Sequence, residues 1–300
     1  MTDTVSNLLE DEFGIRHIPC YGWFTTLLSR IKPDSLNRCM MKFVQGVYPE
    51  LIEELEKEME RQNKKKRPIT VACDGKTVRS TASMVKYDSP LHIVSAYASE
   101  IGMVLGQKSV EGKSNEIPAM RELVKSLEIS GCIVVADALN CQVGTAQAVF
   151  DSKTEKGHGR IETRTAFTTN DVAWMPGGRE WPGLRSIGAI KTRFEYKGKV
   201  TEEWHYYISS ADLSADDLMH HAKMEWGVES MHWLLDVRYR EDYSRIQNEN
   251  IQKNMNMARK LALNIARIFK NKNCPKKSMS QIMFDCLMSP HHLLTVLGKN

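Results

Sequence analysis

Leu36, Met40, Phe43, Val44, Val47, Leu51, Leu55 and Met59 recur at three- and four-residue intervals, the stripe that an amphipathic helix turns toward a core. Pro49 falls inside it, so the helix is expected to bend or break there, because proline removes a backbone donor and crowds the preceding turn. Asp34 or Ser35 of "IKPDS" can cap its first amides. A shorter helix is expected over residues 21–31. The run "RQNKKKRP", residues 61–68, ends this helical region, residues 1–66, and reads as a solvated linker that could also touch phosphate.

From residue 69 the pattern changes to short apolar runs. "ITVACD" (69–74), "LHIVSAYAS" (91–99) and "GMVLGQKSV" (102–110) predict three strands, the last two joined by a tight turn at Glu100, Ile101 and Gly102. "SNEIPAMRELVKSLE" predicts a helix over 115–127, capped by Ser114 and tolerating Pro118 in its first turn. "GCIVVADALNCQ", residues 131–142, then predicts a fourth strand, apolar enough to be central and covered on both faces. Three strands, a helix and a buried strand make the order of a ribonuclease-H-like fold, an α/β mixed sheet flanked by helices. In that order the first and fourth strands are neighbours.

Asp74 and Asp137 end those two strands, so their carboxylates are expected at one edge of the sheet. Two such charges about 4 Å apart repel by roughly 4 kcal/mol at an effective dielectric near 20. A lysine or arginine between them, a retained proton or a pair of Mg²⁺ ions would relieve this. A single aspartate at a strand end more often caps a helix or forms a turn. A third acid is expected from "SADDLMHHAKMEWGVESMHWLLDVRYRED", which predicts one helix capped by Ser214 with Asp217 three residues on. Glu225, Trp226, Glu229, His232, Trp233 and Asp236 share one face of that helix, so Trp226 and Trp233 packing on the sheet would carry Glu229 with them. The plainer alternative leaves the acids in water at the edge and His232 as a packed ring.

Between these acids, "SIGAIKTRFEYKGKVTEEWHYYISS" predicts a hairpin turning at Lys197 and Gly198. Residues 67–270 thus form one domain with an inserted β segment, about 155–210, and a tail, residues 271–300, follows. Within that domain, the segment 245–273 predicts a helix whose lysines and arginines face water or DNA. The chain has 300 residues, 42% of them hydrophobic, with a net charge of +4 and pI ≈ 8.6, a mild basicity that permits a polyanionic partner without requiring one. No apolar run reaches the ~20 residues of a membrane-spanning helix and the first residues lack a secretory pattern, so a cytoplasmic protein without membrane association is expected. Seven scattered cysteines, none spaced C-x-x-C, are read as buried reduced thiols.

Several ordered motifs carry a more specific likeness. "DGKTVRS" (74–80), "LHIVSAYASEIGMVLGQKSVEGKSNEIPAM" (91–120), "GCIVVADALNCQ", "EKGHGRIETR" (155–164), "WPGLRSI" (181–187), "YYISS" (206–210) and "WGVESMHWLLDVRYRED" (226–242) resemble the ISAs-type DDE transposases of bacterial insertion sequences, which include the H-repeat-associated proteins. The resemblance covers residues 13–269. It implies that Asp74, Asp137 and Glu229 are the catalytic acids and hold Mg²⁺, for which Mn²⁺ can substitute. The implied partners are the element's terminal inverted repeats and target DNA, with a homo-oligomer in the DNA complex. Lys76 and Arg79 stand close enough to the first aspartate to touch phosphates, and His158, Arg160 and Arg164 stand in a basic loop that would position DNA rather than read bases. A catalytically inactive DNA-binding remnant, or a two-metal nuclease, would share these features.

The chain departs from that family at three places. It passes from the helix after Asp137 almost directly to "GHGRIETR", so a fifth core strand is expected to be missing: either "RIETRTAFTT" (160–169) replaces it or one sheet edge stays uncovered. The amino-terminal region is shorter than in related chains. Lys223 and Glu225 stand where the family tends to have Arg and His.

Overall fold

The computed structural model describes residues 19–78, 90–110, 116–136, 149–157, 160–172, 184–196 and 198–298, apart from 245 and 247, with a few positions before residue 19. These divide into two compact units: residues 1–66, 71–130 and 227–300, and residues 67–70 and 131–226.

The first unit opens with α1 (Tyr21–Arg30) and α2 (Pro33–Arg61). Pro49 does not interrupt α2; Met40, Met41 and Val44 on one side of it and Leu51 on the other are all buried, and this packing holds the helix continuous across the missing donor. The expected cap is also displaced. Lys32 stands at the cap without a side-chain bond, Pro33 begins the helix with a pre-set φ, and Asp34 lies in the first turn, where its charge suits the helix dipole.

The strands β1 (Thr70–Thr77), β2 (His92–Ala98) and β3 (Met103–Val110) pair antiparallel. Gly102 turns the β2–β3 connection with φ +72°, in the left-handed region that glycine tolerates. The helix α3 (Glu116–Ser126) buries Leu123; its expected cap, Ser114, lies outside the described residues. With β4 (Ile133–Ala136), β3 ends the strand order β3-β2-β1-β4, and side-chain amides complete its free edge. Asn264 accepts from the Val104 N–H at 2.9 Å and donates to the Val104 carbonyl at 2.8 Å; Asn37 does the same at Gln107, at 3.4 and 2.9 Å. After residue 226 come α5 (Gly227–Val237), a 3₁₀ turn (Glu241–Tyr243), α6 (Glu249–Asn273, capped by Asn248), α7 (Met279–Met288) and α8 (Pro290–Val296), so the tail is helical.

In the second unit, β4 (Ile133–Ala136) begins beside the residues that open β1: the Ile133 N–H donates to the Ile69 carbonyl at 2.9 Å. Three antiparallel strands, a helix and a fourth strand joined at the first give the ribonuclease-H-like order. β4, however, is terminal rather than central. None of its residues is buried and Val134 is 41% exposed, because no strand follows it in the order among the described residues. Nor does "RIETRTAFTT" fill that place. It forms β6 (Arg160–Thr169) of a separate antiparallel sheet, ordered β5 (Val149–Gly157), β6, β7 (Ser186–Tyr196), β8 (Lys199–Ser209). The expected hairpin is its β7–β8 half.

The helix α4 (Ala215–Glu225) covers one face of this second sheet, with Leu218, Met219 and Ala222 against Ala166 and Ile190. A Cβ on Gly188 would stand 2.4 Å from Leu218 Cδ2 and 3.0 Å from the Phe167 carbonyl oxygen, so a side chain there would have to displace Leu218. Ser214 caps α4 by accepting the Asp217 N–H at 3.2 Å, as its spacing predicts, and Arg67 pairs with Asp216 and, at 3.0 Å, with Asp217. The described cysteines are free, but only Cys73 among them is buried; Cys20 and Cys39 are exposed. No described helix is long and apolar enough to cross a membrane.

Candidate active site

β1 turns Ala72, Asp74 and Lys76 to one face, since strand side chains alternate. Asp74 stands opposite Ser95, and Ser95 opposite Gln107, so a polar row crosses the three strands on that face. The Asp74 side chain is 36% exposed; its Oδ1 accepts the Gly75 N–H at 2.8 Å and its Oδ2 lies 3.4 Å from His232 Nδ1. Beside it, burial first and the Asp74 charge second push the Cys73 thiol up to about 12, so it stays protonated.

The predicted single helix is two. It breaks at Trp226, so the shared face does not continue across it: Trp226 is 41% and Trp233 53% exposed, and neither packs in the core. The buried stripe of α5 is Val228, Met231, Leu234 and Leu235. The Arg238 guanidinium lies 5.9 Å from the Trp233 ring centre, and that of Arg164 4.2 Å from Trp226. Glu229 lies on the arc of α5 that also carries His232 and Asp236. It is exposed in the first turn, one turn ahead of His232 on the same face. His232 is only 13% exposed and its Nε2 is buried without a hydrogen-bond partner among the described residues.

Lys76 does not face solvent as a phosphate contact should. It is 14% exposed and donates to Asp236 and, at 2.6 Å, to Glu241, which is itself 1% exposed. Burial pulls its pKa down, but Glu241 and Asp236 outweigh that and hold it above the ordinary lysine value. The other oxygen of Glu241 accepts from Asn256 of α6.

Lys260, expected to face water or DNA, is instead buried and donates to Ser95 Oγ at 2.7 Å and Gln107 Oε1 at 2.6 Å, one strand from Asp74. Asn256, Lys260 and Asn264 recur every four residues, so α6 presents a polar stripe to the sheet. That spacing was the available signal for Lys260. Burial is the main cause that lowers Lys260 to about 8; Lys76 adds to it and Glu241 opposes it. The folded chain therefore sheds this proton near pH 8, whereas the unfolded chain holds it to about 10.5. The charged lysine costs stability below pH 8, and stability from this group rises as pH climbs from there toward 10.5. Lys260→Met should flatten that rise, and urea midpoints taken below and above pH 8 for both proteins check it. A difference between the two that is the same at both pH values would refute it.

Of the other expected site residues, Asp137 follows the last residue of β4 and lies outside the described residues, as do Arg79 and His158. Arg160 opens β6, and Arg164 stands four residues on in the same strand.

Three antiparallel strands with Asp74 on β1, and α5 meeting that strand through His232 and Asp236, set the frame for comparison with known proteins. The family described as "Transposase DDE domain" matches residues 65–265. The chain belongs to that transposase family. YncI of Escherichia coli O157:H7 is 33% identical over 239 residues, 66% of this chain and 61% of YncI, so the chain spans less than two thirds of that relative. The H repeat-associated YhhI and the protein YbfL, both of E. coli K12, are each 26% identical and cover 94% of this chain and 81% of their own. Those two alignments run over 325 residues, more than the 300 of this chain, so these transposase-family relatives carry residues with no counterpart here.

Proposed function

We propose that this chain is a DNA transposase that cuts the ends of an insertion sequence and joins them to target DNA, using divalent ions held by Asp74, Asp137 and Glu229. The observation that supports it best is the seating of α5 on β1, with His232 3.4 Å from Asp74 and Glu229 one turn away. The donors suit the ions: Asp74 keeps oxygen lone pairs beyond its one backbone bond, Glu229 is open to solvent, and hard carboxylate oxygens are what Mg²⁺ prefers, Mn²⁺ substituting. When bound, such a pair lowers the pKa of a water or orients a 3′-hydroxyl for in-line attack and stabilises the departing oxygen.

The three carboxylates would fix the ions, and no residue need form a covalent bond to DNA. Arg79, His158, Arg160 and Arg164 would meet backbone phosphates, which sets the position of the duplex without reading its sequence. Lys76 leaves that group, because its ammonium is committed to Asp236 and Glu241. The substrates would be the element's terminal inverted repeats and a target duplex, handled by a homo-oligomer.

Cleavage and joining of element-end DNA with Mg²⁺ or Mn²⁺, compared between the parent and Asp137→Ala, tests this. The parent should cut and join and the variant should do neither. Equal behaviour of the two would make the chain a DNA-binding remnant, the reading supported by the relatives' residues that have no counterpart within those alignments. Cutting without joining would make it a nuclease.

A further inference from the structure

Three contacts pin α5 along β1 and share one sense. Gly227 begins the helix so close to the sheet that a Cβ there would stand 3.1 Å from Ser99 Oγ and 3.3 Å from Tyr97, and Tyr97 is the register partner of Ala72. His232 meets Asp74, and Asp236 meets Lys76. The contacts thus fall at or just before the level of residue 72 and at those of residues 74 and 76. Two strand residues advance about 6.6 Å and the four helix residues from His232 to Asp236 about 6 Å. The two pitches match, so the contacts at 74 and 76 are satisfied together only in one register. In that register Glu229 lies between the levels of residues 72 and 74.

The three contacts differ in strength. Gly227 supplies room and no attraction. His232 lies 3.4 Å from Asp74, beyond a good hydrogen bond. Lys76 alone offers two charged contacts, one to α5 through Asp236 and one to the following turn through Glu241, and Asn256 of α6 holds Glu241 from the other side.

We propose that Lys76 is the positioning residue of the acidic site, clamping Asp236 and Glu241 so that α5 keeps the register that sets Glu229 beside Asp74. This rests on the proposed metal-dependent function. It gives Lys76 a task distinct from touching DNA, and it explains why a cation two residues from a ligand is turned inward. A helix slipped by one residue would rotate Glu229 by about 100° and take it off the sheet side.

The test uses the full chain with Lys76→Met, the Lys76→Met/Glu241→Gln pair and Lys76→Arg. Two readouts are needed: amide hydrogen exchange over residues 227–237, which requires no metal, and Mn²⁺ binding followed by the resonance of the free ion. Lys76→Met is expected to speed exchange of α5 while β2 and β3 keep their protection, and to weaken Mn²⁺ binding about tenfold. The double variant removes the uncompensated Glu241 charge, so its melting temperature should recover toward the parent while its Mn²⁺ binding stays weak. Lys76→Arg should regain part of both readouts. Unchanged exchange over 227–237 in Lys76→Met overturns the clamp, and so does faster exchange with parent-like Mn²⁺ binding, or Mn²⁺ binding that recovers along with the melting temperature. Should the parent take up no Mn²⁺ that Asp74→Asn abolishes, the metal reading fails instead, and the exchange rates still decide whether Lys76 holds α5.

Discussion

Asp74→Asn should lower DNA strand cleavage by about a thousandfold, the loss expected when roughly 4 kcal/mol of transition-state stabilisation disappears with a metal ligand. Asparagine keeps the shape of the side chain and can still accept the Gly75 N–H through its carbonyl oxygen. What it lacks is the negative charge that the proposed divalent ion would require. The position is partly open to solvent at 36%, so folding should barely respond, with a melting temperature within about 2 °C of the parent. Single-turnover cleavage and a thermal scan on the same preparation separate the two effects. Cleavage within tenfold of the parent would remove Asp74 from the metal site.

The opposite profile is expected for Glu241→Ala, a residue far from solvent at 1% exposure. Its carboxylate takes Lys76 on one oxygen and Asn256 on the other, and its charge opposes the burial of Lys260 and Arg259. Removing it leaves Lys76 with one carboxylate where it had two, and takes away an attraction that supports the charged form of Lys260. Breaking a buried pair of this kind costs about 3–5 kcal/mol, because a charge stays behind without compensation. Urea unfolding measures it through the midpoint, and a loss under about 1 kcal/mol would show that water or another group takes over.

These two acids also mark what the sequence could disclose. Strands and helices defined by repeating apolar positions were legible: β1, β2, β3, α2 and α3 lie where "ITVACD", "LHIVSAYAS", "GMVLGQKSV" and their flanking helices place them. Asp74 ends an apolar run, but the strand does not end with it: β1 continues to Thr77, because Gly75, Lys76 and Thr77 keep pairing with β2. Three features were not legible. An apolar stretch such as "CIVVAD" shows that a strand can be buried but not whether neighbours exist to bury it, and among the described residues β4 is terminal. The break at Trp226 was hidden because helical spacing runs through it unaltered. Glu241 and Lys260 were read as solvated charges or passed over, because burial of a charge depends on a partner distant along the chain: Lys76 is 165 residues from Glu241, and Ser95 165 from Lys260.

The two asparagines that bond the edge of β3, Asn37 and Asn264, carry a practical lesson for anyone designing shorter versions. A fragment starting at residue 67 would look natural on a map of the matched family, yet it would discard Asn37 and strip the covering from the Gln107 peptide group. Part of the free edge of β3 would then stand open to any extended polypeptide nearby, and such a truncation invites clumping before its chemistry could be assayed.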